Sequence, residues 1–187
     1  MSLVLAYLLG AVPFGLIVAG LHADVDPREL GSGNTGATNV LRTAGPVLGG
    51  VSLALDLLKG VAAAAMGYSL GGANLAALAG AAAVVGHCWS IFLAFRGGKG
   101  VATACGVLLV LTPWATLAGA VAWGLCFAAF RRSSLGALAA LPVVGLVAWW
   151  AHPEQLPLVA LVAAVIVFRH AANIRRLASG TEDRFGP

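Results

Sequence analysis

The sequence predicts an all-α fold: a polytopic integral membrane helical bundle of about seven transmembrane helices, built as a single domain over residues 1–187. Three observations predict this fold class. The chain is 60% hydrophobic and 10% charged, whereas a soluble domain carries about 25% charged residues. Its apolar runs approach the ~20 residues that cross a bilayer as a helix. Apart from Lys59, its lysines and arginines lie in breaks on one side of the predicted topology, as in cytoplasmic loops.

The apolar runs justify the individual helices. Charge resolves the ambiguous stretch 101–130, which has Thr112-Pro113 at its centre. Two crossings keep the basic residues before and after the stretch on one side of the membrane, whereas one crossing would separate them. The predicted runs are 2–21, 44–68, 74–95, 101–112, 113–130, 135–151 and 156–171.

The basic loops also predict the orientation, with the N-terminus outside and the C-terminus inside. The predicted outside turns, near Tyr68–Asn74, Thr112 and Ala151–Gln155, contain no Lys or Arg. The first run lacks a preceding basic region, so we interpret it as a retained helix and not as a cleaved signal peptide. The net charge of +4 reflects this orientation and anionic substrates, and it does not indicate nucleic-acid binding.

The cysteines Cys88, Cys105 and Cys126 lie in apolar surroundings without paired spacing. Such cysteines are typical of small buried residues in helices, so neither a disulfide nor a metal site is predicted.

The first polar cluster is a loop with three glycines within six residues. Such a loop can turn successive N–H groups towards an anion, and the start of the next helix adds a positive dipole end. A flexible polar linker would contain the same glycines, but the density of donors together with Arg42 favours a phosphate site. The candidate residues are Gly31, Ser32, Gly33, Asn34, Thr38, Asn39 and Arg42.

The second polar cluster places Arg96 and Lys99 around a Gly-Gly pair, with a helix following. Cations, backbone donors and a helix start again indicate anion binding. A basic turn that served only topology would not need the glycines. The candidate residues are His87, Arg96, Gly97, Gly98, Lys99, Gly100 and Thr103.

His170 and Asn173 form the core of the third cluster, because residues three apart share a helix face. The alternative for His170 is an interfacial or capping group. Asp56 and Lys59 are also three apart, inside the second apolar run. Charges at membrane depth are expensive and usually face a protein interior, so we predict Asp56 to be a structural partner of Lys59, and Lys59 to add positive potential to the phosphate site as a substrate-binding residue. A direct role of the pair in catalysis is the alternative.

Together the three clusters resemble the signature motifs of the PlsY family, the bacterial membrane acyl-phosphate:glycerol-3-phosphate acyltransferases. The matching patterns are Ser-Gly-Asn-x-Gly-Ala-Thr-Asn-x-x-Arg from Ser32, Arg-Gly-Gly-Lys-Gly-Val-Ala-Thr from Arg96, and His-x-x-Asn-Ile-x-Arg-Leu-x-x-Gly-Thr-Glu from His170. The similarity covers essentially the whole chain. One departure is Trp89-Ser90, where the family usually has an aromatic residue followed by proline.

The resemblance implies transfer of a fatty acyl group to the first hydroxyl of glycerol 3-phosphate, giving lysophosphatidic acid and inorganic phosphate, the first acylation of bacterial phospholipid synthesis. It implies acyl phosphate, glycerol 3-phosphate and membrane lipid as partners, with no cofactor, metal, coenzyme A or acyl carrier protein. It also implies a multi-pass protein of the bacterial inner membrane with its site facing the cytoplasm. The catalytic residues would be Ser32, Arg42, Lys99, His170 and Asn173, of which Ser32 and Arg42 would be essential. The glycines of the second motif would shape the glycerol 3-phosphate pocket beside Lys99, and Glu182 would be mainly structural.

Two other function classes fit a small basic membrane protein. An organic-anion transporter would place its charges near the bilayer midplane between related halves, and the two halves of this sequence do not match. A metal-dependent lipid phosphotransferase would need clustered carboxylates, and the nearest group here is the loose set Asp24, Asp26 and Glu29. Within the acyltransferase hypothesis, direct attack by the glycerol hydroxyl and a covalent acyl-Ser32 intermediate both stay open.

Overall fold

The computed structural model describes residues 3–185, and all regular secondary structure in that part of the chain is helical. This confirms the all-α prediction. Short 3₁₀ turns at Ile91–Leu93 and Pro153–Gln155 join some of the helices. The helices are α1 (Leu3–Ala11), α2 (Phe14–Ala23), α3 (Ala37–Ala44), α4 (Pro46–Cys88), α5 (Val101–Leu111), α6 (Pro113–Phe130), α7 (Ser133–Ala151), α8 (Leu156–Arg169) and α9 (Ala171–Ala178).

Several helical segments among the described residues have the length and apolarity of membrane spans. Four qualify directly, and a fifth is the pair Pro153–Arg169 and Ala171–Ala178, which is bent by 61°. Helix α5 is apolar but shorter. Large apolar side chains cover the outside of these helices, as lipid contact requires; Trp150 at the end of α7 is 83% exposed. The number of crossings and the orientation of the termini stay predictions.

The described residues form two compact units that divide between Val110 and Leu111. The first unit corrects one sequence prediction, because the run 2–21 is not one continuous helix. Pro13 lacks an N–H group and separates α1 from α2. The Nζ of Lys59 donates to the carbonyl of Val12 at 2.9 Å, and the hydroxyl of Ser90 donates to the carbonyl of Ala11 at 2.6 Å. Side chains thus satisfy carbonyl groups beside the break, as an apolar environment demands.

Helix α4 consists of two helical arms that meet at Gly71 and Gly72, where the backbone is non-helical and the path reverses. This break lies between the predicted runs 44–68 and 74–95. Gly72 has φ of 69°, a left-handed conformation that favours glycine. A Cβ atom on Gly67 would lie 2.8 Å from the Cα of Ala76, so the two arms of α4 pack closely against each other. The reversal falls in the predicted outside turn.

Helix α5 packs against both arms of α4 through glycines. A Cβ on Gly60 would collide with the Thr103 carbonyl, and one on Gly106 would collide with the Leu57 carbonyl. Gly80, on the other arm, lies directly against a methyl group of Val107. Small residues therefore permit close backbone approach, as predicted from the Ala- and Gly-rich composition.

The end of α4 does not depend on the family's proline. The helix ends at Cys88, and Trp89 has non-helical φ and ψ of −128° and 66°. The Tyr7 hydroxyl donates to the Trp89 carbonyl at 2.6 Å, and the Ser90 hydroxyl donates to the Ala11 carbonyl at the end of α1. Hydrogen bonds to the first helix therefore hold the chain where it leaves α4.

In the second unit, α6 and α7 form an antiparallel pair joined at Arg131-Arg132. Gly136 lies against Trp123, whose indole N–H donates to the Ser133 carbonyl at 3.3 Å. Helix α6 begins at Pro113, directly after Thr112, which confirms that residues 101–130 form two helices. The prediction of a single domain over residues 1–187 stays a prediction.

Candidate active site

The first polar cluster is a tight loop that leads into α3. Gly31 and Gly33 both have positive φ, 59° and 69°. The Gly33 N–H donates to the Leu30 carbonyl at 3.1 Å, and the Gly36 N–H donates to Oδ1 of Asn34 at 2.9 Å. These N–H groups are therefore engaged within the loop, where the sequence predicted donors for an anion. The glycines shape the loop, and its side chains supply the groups that face outward.

Asn39 holds this loop together. It is 1% exposed, and its Oδ1 accepts the Ser32 N–H at 2.9 Å. Its Nδ2 donates to the carbonyls of Pro27 at 2.7 Å and Leu30 at 3.0 Å. One buried amide thus binds three points of the loop backbone, which identifies Asn39 as a clamp. Its predicted contact with substrate stays a prediction.

The other candidates of the first cluster occupy more open positions. The Ser32 and Thr38 side chains are exposed, and Arg42 is half-buried in the last turn of α3. The Asn39 clamp fixes the main chain beside the Ser32 hydroxyl. These three side chains have the chemistry to bind a phosphate: two hydroxyl groups and a guanidinium fork.

The second cluster is a loop whose glycines pack against the end of α4. The N–H of Gly97 donates to the Cys88 carbonyl at 3.2 Å, and that of Gly98 donates to the His87 carbonyl at 3.0 Å. A Cβ on either glycine would collide with His87, with the carbonyl oxygen for Gly97 and with Nε2 of the ring for Gly98. The glycines are therefore required for packing, and these two N–H groups bond within the loop.

The cations of this loop are accessible, and α5 starts immediately after them. Lys99 is half-buried and Arg96 is exposed. Gly100 has φ of 84°, and its carbonyl accepts the Ala104 N–H at 2.8 Å, which closes the first turn of α5. Thr103 is fully buried in the contact between α4 and α5, so any effect of Thr103 on a substrate would pass through this packing.

Asp56 and Lys59 form a buried ion pair in α4, with 2.8 Å between Oδ1 and Nζ. Nδ1 of His87 lies 3.5 Å from the same Asp56 oxygen. The ammonium group of Lys59 also lies 5.7 Å from the centre of the Phe14 ring. The predicted pairing of Asp56 with Lys59 is therefore observed.

A small cavity lies beside the ion pair within the first unit. Its lining includes Thr35 from the first loop, His87 from the end of α4 and Ser90, together with Asp56 and Lys59. Its volume is about 10 Å³, which is close to the minimum for one water molecule. Thr35 of the first loop and His87 of the second cluster thus lie together beside the buried ion pair, whereas Ser32, Arg42 and Lys99 are not part of this lining.

The third cluster lies in the second unit, where the chain bends between α8 and α9. His170 is 2% exposed, and its Nδ1 lies 2.8 Å from the Ile166 carbonyl. A carbonyl oxygen only accepts, so Nδ1 carries hydrogen, and Nε2 of the neutral ring keeps its lone pair. This tautomer is suited to accept a proton at Nε2.

Glu182 organises the residues around Asn173. Its carboxylate accepts hydrogen bonds from Ser134 at 2.5 Å, Asn173 at 2.6 Å and Arg176 at 2.7 Å. Burial alone would raise the pKa of Glu182, but these three hydrogen bonds and the Arg176 charge lower it below its ordinary value. The carboxylate therefore stays ionised and fixes the orientation of the Asn173 amide.

Ser134 and Arg132 are functional candidates that sequence reasoning missed. Nε of Arg132 donates to the main-chain carbonyl of Glu182 at 3.2 Å. Both residues belong to the Arg-Arg-Ser-Ser segment at the start of α7, whose arginines were used only to predict the orientation of the helices. A polar turn on the predicted site side of the membrane was the available signal.

The described residues contain no group of three or more His, Cys, Asp or Glu side chains arranged to hold a metal ion. In the loose acidic set, Asp26 is bound by Arg28 at 2.6 Å. The clustered carboxylates that a metal-dependent phosphotransferase requires are therefore not assembled in this part of the chain.

Comparison with known proteins gives consistent full-length similarity. A family model described as glycerol-3-phosphate acyltransferase matches residues 1–180. A glycerol-3-phosphate acyltransferase of Rhodopseudomonas palustris is 45% identical over 99% of this chain and 95% of its own length. One from Sinorhizobium medicae is 46% identical over 98% of this chain and 91% of its own.

A solved structure has the same fold. The crystal structure of PlsY, an integral membrane glycerol 3-phosphate acyltransferase, in its glycerol 3-phosphate form is 38% identical, with a TM-score of 0.93 over 98% of this chain and 94% of that one. The lysophosphatidic acid form of PlsY gives a TM-score of 0.91 at 37% identity, over 98% of this chain and 93% of that one.

Proposed function

The chain belongs to the glycerol-3-phosphate acyltransferase family, and from this premise we propose that it transfers a fatty acyl group from acyl phosphate to the 1-hydroxyl of glycerol 3-phosphate. The products are lysophosphatidic acid and inorganic phosphate. The observation that carries the proposal is the full-length similarity to integral membrane acyltransferases, joined to three polar clusters whose composition suits phosphate. The protein acts as a multi-pass protein of the bacterial inner membrane, with its site open to the cytoplasm.

Charge and solubility support this pair of substrates. Both carry phosphate, and the exposed or half-buried cations Arg42, Arg96 and Lys99 belong to the two glycine-rich loops of the first unit. The acyl tail is apolar and can stay in lipid beside the exposed apolar side chains of the helices. A site at the membrane surface therefore receives one substrate from lipid and the other from water.

Direct transfer is the mechanism we favour. The glycerol 1-hydroxyl oxygen bonds to the acyl carbonyl carbon, the carbon–oxygen bond to phosphate breaks, and phosphate leaves with the bonding electrons. Holding the reacting atoms together can supply ~7–11 kcal/mol of the barrier reduction. Cations that neutralise the phosphates stabilise the leaving group, and hydrogen-bond donors stabilise the developing carbonyl oxyanion.

The hydroxyl proton goes to Nε2 of His170 or to the phosphate of the donor. The hydrogen bond from Nδ1 of His170 to Ile166 supports the first route, because it leaves Nε2 unprotonated in the neutral ring. Ser32 binds phosphate in this mechanism. An acyl-Ser32 ester trapped after mixing the protein with acyl phosphate alone would replace direct transfer with a covalent route.

The decisive experiment uses the purified full-length protein in lipid nanodiscs with a metal chelator present. We expect acyl phosphate to release inorganic phosphate only when glycerol 3-phosphate is added, with one lysophosphatidic acid formed per phosphate released. Acyl-CoA offered in place of acyl phosphate should give no product. Lysophosphatidic acid formed from glycerol 3-phosphate with acyl-CoA, and not with acyl phosphate, would reassign the acyl donor while leaving the family activity intact.

Two results would support the other function classes. Activity that appears only after Mg²⁺ replaces the chelator would indicate metal-dependent chemistry. Uptake of radiolabelled glycerol 3-phosphate into sealed proteoliposomes, without acylation, would indicate a transporter. Either result would overturn the proposed reaction.

A further inference from the structure

His87 lies between the buried ion pair and the loop that carries Lys99. On one side of its ring, Nδ1 is 3.5 Å from Oδ1 of Asp56. On the other side, Nε2 lies so close to Gly98 that a Cβ atom there would collide with it. The main-chain carbonyl of His87 also accepts the Gly98 N–H at 3.0 Å. One residue therefore holds Gly98 by its ring and by its backbone.

The ion pair gives this ring a fixed support. The side chains of Asp56 and Lys59 are 3% and 2% exposed. Lys59 is anchored a second time, through the bond from Nζ to the Val12 carbonyl at 2.9 Å. Separating a buried pair leaves an uncompensated charge in an apolar environment, which is strongly unfavourable. The ion pair therefore holds Asp56 in place beside the His87 ring.

Space around these groups limits direct contact with a substrate. The cavity lined by Asp56, Lys59 and His87 has about 10 Å³, and a cavity of that size holds about one water molecule. The side chains of Asp56, Lys59 and His87 are only 3%, 2% and 8% exposed, so in this arrangement they act on a substrate through their neighbours.

We propose that Asp56, Lys59 and His87 are positioning residues, which set the main-chain path of Gly97-Gly98 and thereby place the Lys99 ammonium group for a substrate phosphate. The inference rests on the proposed function. It gives Lys59 and His87 a role at the loop in place of the phosphate-site roles predicted from sequence. It also explains why residue 98 is a glycine, because the His87 ring occupies the space that a side chain would need.

The first test is a double-mutant cycle between His87→Ala and Lys99→Ala, measured as steady-state kinetics in nanodiscs. Lys99→Ala identifies the substrate whose KM depends on the ammonium group. We expect His87→Ala to raise the same KM about tenfold, a change of ~1.4 kcal/mol, and to leave the other KM unchanged. The double variant should be no worse than Lys99→Ala alone. Effects that multiply in the double variant would overturn the proposal.

The second test uses the contact between His87 and Gly98. Gly98→Ala places a methyl group against the ring, so its loss of kcat/KM should be large with His87 present. In the His87→Ala background the methyl group has room, and we expect the added loss to shrink about tenfold or more, as for contacting residues. An equal loss in both backgrounds would indicate that Gly98 is needed for substrate approach, and the positioning role would be wrong.

Controls separate these outcomes from misfolding and from failure of the proposed function. His22→Gln, at an exposed position near the end of α2, should keep parental kinetics. If His87→Ala does not give a monodisperse protein, the same cycles are run with His87→Gln, the matched substitution. A parental protein without glycerol 3-phosphate-dependent phosphate release would refute the proposed function. An active parent with multiplicative effects would refute only this inference.

Discussion

Asp56 and Glu182 are both buried carboxylates, but the two units satisfy them differently. Asp56 lies inside the apolar helix α4, where the charged group of Lys59 approaches it to 2.8 Å. Glu182 follows α9 and accepts hydrogen bonds from a hydroxyl, an amide and a guanidinium group. The first carboxylate is neutralised mainly by an opposite charge, and the second is satisfied mainly by directed hydrogen bonds.

The difference follows from the surroundings of each carboxylate. Within an apolar span too little water is present to solvate a charge fully, so a counter-charge at contact distance is required. Glu182 has a partner that reaches solvent, since the Arg176 side chain is 40% exposed. We therefore expect the Asp56 site to be most sensitive to loss of charge, and the Glu182 site to be most sensitive to loss of hydrogen bonds.

The largest effect is expected for Lys59→Met, which removes the counter-charge but keeps an apolar chain of similar length. Breaking a buried pair on one side costs about 3–5 kcal/mol, and the bond to the Val12 carbonyl is lost as well. Chemical unfolding in detergent micelles measures the change in free energy of unfolding. Adding Asp56→Asn should recover part of the loss, because the second charge is then also removed. A Lys59→Met protein as stable as the parent would show that the charge of Lys59 does not contribute to the free energy of unfolding.

Glu182→Gln should have the next largest effect. Glutamine keeps one acceptor oxygen but turns an NH₂ group towards a donor, so the charge-assisted bond to Arg176 is lost. Hydrogen bonds to charged groups contribute about 1.5–3 kcal/mol each, and we expect a loss of unfolding free energy in this range. The oxygen that glutamine keeps can still accept from Asn173, so we expect kcat to be largely kept in Glu182→Gln and to fall in Glu182→Ala, which removes both carboxylate oxygens. A folded Glu182→Ala protein with parental kcat would contradict the role of Glu182 in holding Asn173.

Ser134→Ala should have a smaller effect, because two donors to Glu182 stay in place. We expect a loss of about 1.5 kcal/mol, measured in the same unfolding assay. Ser69→Ala is the control, because its exposed hydroxyl donates to the Met66 carbonyl at 3.0 Å and lies outside the Glu182 network. Equal losses in the two variants would mean that the hydroxyl bond to Glu182 contributes nothing specific.

Protonation of Glu182 has the smallest expected effect on stability under ordinary conditions, because it occurs only at low pH. The folded-state pKa of Glu182 is lowered from its ordinary value of 4.5. Its contribution to stability is therefore fully present above about pH 4.5 and is lost as the pH falls through the lowered folded-state pKa. The thermal unfolding midpoint of the parent should decrease over this interval more than that of Glu182→Gln. Parallel pH curves for the two proteins would exclude this contribution.

Helix breaks show how far local sequence reasoning reaches. The break at Thr112-Pro113 was predicted from charge and proline together, and it is confirmed. The break at Pro13 was missed, although the same residue type was present, because the run around it is apolar and of spanning length. Lys59 and Ser90 satisfy the carbonyls beside that break, and neither partner is local in the sequence.

The candidate site shows the same contrast between features that are local in the sequence and contacts that are not. Motif composition identified all three polar clusters, and similarity to known proteins establishes the family. Motif composition did not show that the side-chain amide of Asn39 binds the loop backbone at three points, or that the His87 ring fills the space beside Gly98. Ser134 was missed because its partner, Glu182, lies 48 residues away in the chain.

The sequence by itself determined the membrane class, the helical fold and the family. Hydropathy, charge density and motif spacing are properties of adjacent residues, and they can be read along the chain. Only the tertiary structure decided which polar groups bond to one another. A hydrogen bond or buried ion pair requires atoms within about 3–4 Å, and the residues that meet at that distance are set by the folded path of the backbone.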